Sequence, residues 1–241
     1  MQTLIFENSA RLADAVSEEI ISLLNTKPDA LLCMASGHSP KMTCEFFTEK
    51  IKQGKVDGSR FHFVGLDEWV GIPPATPGSC HNDFNERLFV PLDMDSSRYH
   101  LFDGMSSDLQ SECIKMDNHI QSKGVIDLMI VGIGMNGHIG FNEPGCDFNA
   151  TSHVVNLEES TSTVGQKYFQ TPATLDKGIT IGFAHLRAAK KVILIASGKA
   201  KASIVYQSLK NPVTQNIPAS IMQELPQGLV MLDAEAAEML N

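Results

Sequence analysis

The stretch Ile126-Asp127-Leu128-Met129-Ile130-Val131-Gly132-Ile133-Gly134-Met135-Asn136-Gly137-His138-Ile139-Gly140-Phe141-Asn142-Glu143-Pro144-Gly145 decides how this chain is read. Its first six residues are an apolar run with the length and composition of a buried strand. From Gly132 onward, five glycines in fourteen residues let the backbone turn sharply and approach a ligand closely. Open α/β sheets place their ligands in loops at the carboxyl ends of such strands. A carboxylate that orients an imidazole and supports its charged form makes a proton relay, so His138 and Glu143 are candidate acid/base groups. The plainer reading is a glycine turn with both side chains solvated. Glycine density together with two titratable groups favours a site.

Outward from this stretch, apolar strands alternate with helical patterns. Strand candidates are Thr3–Glu7, Ala30–Ala35, Phe61–Leu66, Tyr99–Phe102, Gly178–Gly182, Lys191–Ala196 and Gly228–Leu232, with a weaker one at Val154–Leu157. A helix capped by Asn8 or Ser9 runs to about Asn25, its apolar residues recurring at helical spacing. Further helices are predicted at Lys41–Gln53, Asn82–Phe89, Ser107–Ser122, Phe183–Ala189, Lys199–Leu209 and Ala234–Leu240. The alternation predicts a mostly parallel sheet covered by helices on both faces: a three-layer α/β/α, modified Rossmann-like single domain over residues 1–241.

The composition is that of a soluble globular protein, 43% hydrophobic and 20% charged, with net charge −9. The acidic balance argues against a nucleic-acid partner, and an anionic ligand would need a local positive site. Five scattered cysteines without a Cys-x-x-Cys pair predict reduced thiols and a cytoplasmic protein. The N-terminal residues lack the features of a signal peptide, and no apolar run approaches the ~20 residues of a membrane span. No His-x-x-x-His or zinc-type Cys/His spacing predicts a metal, and the glycine loop continues into His138 rather than a dinucleotide-binding helix. Neither metal nor cofactor is expected.

Two other stretches carry chemistry. Ser36-Gly37-His38-Ser39-Pro40 joins a buried strand to a helix, where backbone N–H groups and the helix dipole make an anion site. The same residues also fit an ordinary turn with Ser39 as N-cap. Asp67-Glu68 leaves the strand that ends in Leu66, a position suited to acid/base work, although such pairs commonly mark a strand's exit to solvent.

Asn136-Gly137-His138-Ile139-Gly140-Phe141-Asn142-Glu143-Pro144 resembles the signature of the glucosamine-6-phosphate deaminase family, which includes galactosamine-6-phosphate deaminase/isomerases. The resemblance runs from about Ala30 to Leu209. It implies ring opening of an amino-sugar 6-phosphate, aldose–ketose isomerisation and loss of ammonia, without a cofactor. His138 would move the ring-opening proton and Glu143 would tune it. Asn136, where some members carry Asp, would orient the imidazole with less support for its charge. Asp67, in Asp67-Glu68-Trp69-Val70-Gly71, matches the base that moves a proton between C2 and C1; Glu68 receives no role. Ser36, Gly37, His38 and Ser39 match a phosphate loop in which His38 replaces a small residue. Lys201 matches a phosphate-binding lysine, and Lys167 stands where many members have an arginine.

Trp69, Thr76-Pro77-Gly78-Ser79-Cys80 and Lys177–Gly182 look more like the galactosamine branch, which the resemblance modestly favours. A 6-phosphogluconolactonase is the first alternative; Asn142-Glu143-Pro144 and Asp67 argue against it, because lactone hydrolysis needs no C2 base. A non-catalytic sugar-phosphate sensor is the second, and the presence of both Asp67 and His138 argues against that. Longer members use additional C-terminal residues in oligomeric and allosteric contacts, so a homo-oligomer is an open expectation.

Overall fold

The computed structural model describes residues 2–240, with the side chains of His38 and Ser39 outside the description. A seven-stranded sheet forms the centre, in the order β1 (Gln2–Phe6), β10 (Gly228–Asp233), β9 (Val192–Ala196), β6 (Leu128–Gly132), β2 (Leu31–Met34), β3 (His62–Gly65) and β5 (Tyr99–His100). Every neighbouring pair is parallel. Side chains alternate between two cores, as a strand's period of two requires. Leu31, Cys33, Met129, Val131, Val192 and Leu194 enter one core. Leu32, Met34, Leu128, Ile130, Ile193 and Ile195 enter the other. These strands therefore read as unbroken apolar runs.

Helices α1 (Ser9–Thr26) and α2 (His38–Lys52) cover one face, with Val16, Ile20 and Phe47 among the buried residues. Helices α4 (Leu109–Ser122), α6 (Phe183–Ala188) and α7 (Ala202–Lys210) cover the other through Met116, Leu186 and Val205. Asn8 caps α1, its side chain accepting from Arg11 N at 3.0 Å, and Asp108 caps α4, accepting from Ser111 N at 3.0 Å. Such caps satisfy donors that the first helical turn leaves unpaired.

From β2 the chain winds outward through β3 to β5, then returns to lay β6 on the other side of β2. The order reverses between β2 and β6, and that is the switch point at which open α/β sheets bind ligands.

A second, antiparallel sheet closes over this end. It consists of β4 (Asp67–Trp69), β8 (Lys177–Thr180) and β7 (His153–Asn156), with Glu68 opposite Ile179 and Val154 opposite the same residue. Asp67–Trp69 is thus a strand in its own right, not the loop after β3. Helix α2 starts three residues earlier than expected, directly after Gly37, which has φ +100° and provides no side-chain cap. Ser39 is therefore not its N-cap. The helix expected at Asn82–Phe89 is α3 (Cys80–Phe84) running into a π-turn at Asn85–Phe89. No α-helix forms over Ala234–Leu240, which is a turn followed by a 3-10 turn at Glu238–Leu240. Asp233 instead takes the N–H groups of Gly198 and Ala236. A segment this short cannot offset helix nucleation by itself. Among the described residues no helix is long and apolar enough to cross a membrane, and all five cysteines are free.

Candidate active site

A cavity of about 650 Å³ lies over the switch point, with Ser36, Gly37, Asp67, His138, Lys167 and Lys201 in its lining. The parallel sheet delivers three of its walls: the loop after β2, the glycine loop after β6, and the turn after β9. The antiparallel sheet delivers the fourth, which carries Asp67. Its size is in the range of about 300–1,000 Å³ usual for small-molecule sites.

Asp67 begins β4 and faces the cavity. Burial and the neighbouring Glu68 charge push its carboxyl from 3.8 up to about 7, partly opposed by the Cys80 thiol. Cys80 Sγ lies 3.7 Å from Asp67 Oδ1, and burial with the two carboxylates keeps that thiol well above its ordinary range. Glu68 points the other way, into the protein, and is 3% exposed. It accepts N–H bonds from Trp69 (2.8 Å), Cys80 (3.0 Å) and His81 (2.8 Å). The last two belong to the first turn of α3, so Glu68 fastens this helix to the strand that carries Asp67. Burial still raises the Glu68 carboxyl, against the pull of these bonds. The absence of a role for Glu68 in proton transfer fits its oxygens being occupied.

His138 is placed by the glycine loop. Its ring lies against Gly134, where a Cβ would come within 2.3 Å of Nε2 and Cε1; any side chain at 134 would evict it. Nδ1 is 3.5 Å from Glu143 Oε2 and 3.2 Å from Thr161 Oγ1. Glu143 sits behind the ring, 4% exposed. Burial alone would raise its carboxyl, but the His138 contact, with Thr161 and Asn136, outweighs that and holds it below its ordinary value. Asn136 does not orient the imidazole. Its Nδ2 donates to Glu143 Oε2 at 2.7 Å and to Glu158 Oε2 at 2.8 Å, while its Oδ1 accepts from His138 N at 3.2 Å.

At the far end of the cavity the start of α2 meets two lysines. Lys201 lies in a 3-10 turn (Lys199–Lys201) leading into α7, and its Nζ donates to Ile133 O at 2.7 Å. Burial lowers its pKa. Lys167 is exposed at the rim, in a 3-10 turn (Gln166–Tyr168) after α5 (Glu159–Gly165). Ser36 and Gly37 line this end, and the expectations for the His38 and Ser39 side chains lie outside the described residues. Arg87 also lines the cavity but is paired with Asp83 (2.6 Å) and Glu45 (2.9 Å). Among the described residues no group of three or more His, Cys, Asp or Glu is gathered to hold a metal ion.

The sequence motifs thus converge, but they omit Thr161, Glu158 and Cys80. Thr161 and Glu158 come from α5 and its N-cap, a segment with no apolar periodicity to announce it. Cys80 was visible only as a departure from the family's pattern.

Residues 7–231 match the family described as glucosamine-6-phosphate isomerases/6-phosphogluconolactonase. The chain belongs to this family. A glucosamine-6-phosphate deaminase of Halothermothrix orenii is 36% identical over 241 residues, the full length of both chains. The enzyme of that name from Bacillus pumilus is 34% identical over 99% of this chain and 100% of its own. A solved monomeric glucosamine-6-phosphate deaminase superposes with a TM-score of 0.95 at 31% identity, covering 99% of this chain and 100% of its own. The 6-phosphogluconolactonase of Trypanosoma brucei, with a TM-score of 0.81 and 19% identity, shares the fold. In this family member the conserved architecture accounts for the seven-stranded sheet, and its own residues furnish the cavity.

Proposed function

We propose that this chain is an amino-sugar 6-phosphate deaminase/isomerase. The observation that carries the reading is the pairing, across one cavity, of a carboxyl raised to about 7 with an imidazole–carboxylate pair. His138, backed by Glu143, opens the sugar ring by moving a proton between the ring oxygen and the C1 hydroxyl. C1 then becomes electrophilic and the C2 proton acidic. Asp67 takes that proton and returns it to C1, and the C2 nitrogen leaves as ammonia after hydrolysis. A base poised near neutral pH suits this task. Lys201, Lys167 and the Ser36–Ser39 loop at the start of α2 bind the phosphate, which supplies local positive potential in an acidic protein.

The relatives' names support the glucosamine epimer. They lend nothing to the galactosamine preference suggested by Trp69, whose side chain is 5% exposed and packs on Phe141 and Phe169 at centroid distances of 4.6 and 6.0 Å. That residue is largely used in holding β4 to the glycine loop. The test is ammonia release from glucosamine 6-phosphate and galactosamine 6-phosphate, with hydrolysis of 6-phosphogluconolactone as the third arm. Release from the glucosamine epimer is expected; lactone hydrolysis without ammonia release would overturn the reading.

A further inference from the structure

Glu158 stands at the N-cap of α5, yet its side chain makes no bond to its own helix. N-cap carboxylates ordinarily turn back onto the first helical N–H groups. This one reaches across to the glycine loop instead, and its Oε2 accepts from Asn136 Nδ2 at 2.8 Å. The other hydrogen of the same amide goes to Glu143 Oε2 at 2.7 Å. The amide's orientation follows from its oxygen, which accepts the N–H of His138. Glu158 also holds Glu143 through its main chain, its N–H donating to Oε1 at 3.4 Å.

We propose that Glu158 is a positioning residue for the His138–Glu143 pair, acting through Asn136 and latching the segment that carries Thr161 and Lys167 onto the glycine loop. An amide has two hydrogens and can join two carboxylates. A carboxylate at 136 would leave three acidic groups together with no donor between them. Asn136 and Glu158 therefore require one another. The latch sets the 3.2 Å approach of Thr161 Oγ1 to His138 Nδ1, because Thr161 lies in the first turn of the helix that Glu158 begins. The proposal rests on the ring-opening reading of this site.

The test is a four-protein cycle: wild type, Asn136→Asp, Glu158→Gln and the double variant. Asn136→Asp should lower kcat for ammonia release by about 10-fold or more with KM little changed, and Glu158→Gln by less, as loss of support to a general acid/base does. In the double variant the amide at 158 takes over as donor between the two remaining carboxylates, so most of the Asn136→Asp loss should return. Losses that simply multiply would overturn the proposal, since uncoupled sites behave additively in free energy. A wild type that releases no ammonia would overturn the functional reading instead. The latch is then read without substrate, from amide hydrogen exchange over 159–168. Faster exchange in Asn136→Asp, restored in the double variant, is expected, and unchanged exchange in Asn136→Asp would overturn it.

Discussion

On one wall of the cavity Asp67 is pushed up to about 7 by burial and by Glu68; on the other, Glu143 is held below its ordinary value by His138, Thr161 and Asn136 in spite of burial. Both are carboxylates in one cleft, and the difference lies in their partners. The Asp67 wall offers a thiol at 3.7 Å and a like charge. The Glu143 wall offers an imidazole and an amide. Environments that push two carboxyls apart assign them different tasks. A group that must collect a proton from carbon is best left without a cation, whereas a group that steadies an imidazolium is best kept ionised.

The largest effect is expected from removing the first wall's titration. Asp67→Asn should lower ammonia release by about 10³-fold or more, in the upper part of the general-base range. Proton NMR in deuterated buffer should show loss of C2 exchange with binding retained; exchange at the wild-type rate would place the base elsewhere. In the wild type, kcat/KM should fall as pH drops below about 7, because the base acts only when ionised. Stability runs the opposite way. The folded pKa lies above the unfolded one, so the folded chain binds this proton more tightly, and stability is lost as pH rises from about 4 through about 7. Asp67→Asn should therefore be more stable than wild type at pH 8 by about 1–3 kcal/mol, a value discounted for water in the cavity. Equal melting temperatures at pH 8 would argue that Asp67 is well solvated.

The second wall should respond by a smaller factor and with a different substrate dependence. His138→Gln is expected to slow turnover of the closed-ring sugar by about 10²-fold. Binding of an open-chain analogue should suffer much less. Equal damage to both would make His138 a binding group and erase the contrast between the walls.

Glu68→Gln sharpens the comparison within the first wall. The substitution removes the acceptor of at least one of three buried N–H bonds, so a stability loss of about 1–3 kcal/mol is expected from thermal unfolding. C2 exchange, measured where the variant is folded, should persist. Its abolition would move the base from Asp67 to Glu68.

How much of this was legible follows from where the information lies. The parallel strands could be read because both faces are buried, which leaves Leu31–Met34, Leu128–Val131 and Val192–Ala196 as plain apolar runs. The motifs could be read because their residues are contiguous. The antiparallel sheet could not: Asp67-Glu68-Trp69 is three residues with two charges, and it becomes a strand only by pairing with Gly178–Thr180, more than a hundred residues away. Tertiary context overrides propensity in such a segment. Glu158 and Thr161 were hidden for a related reason, since they act across the fold on Asn136 and His138 and share no local pattern with them. The buried 3-10 stretch Pro218–Glu224 also lacks either the helical or the strand period.

The bond from Lys201 Nζ to the carbonyl of Ile133 carries a consequence for affinity. A lysine side chain free in water samples many rotamers, and immobilising one on a ligand costs about 0.5–1.5 kcal/mol. Here that freedom is surrendered when the chain folds, with the ammonium drawn over the end of β6. An arriving phosphate meets a cation whose conformational entropy is already lost and whose charge is thinly hydrated by burial. Association then bears less of the ordering penalty, so the gain should appear as a slower release of the bound sugar phosphate.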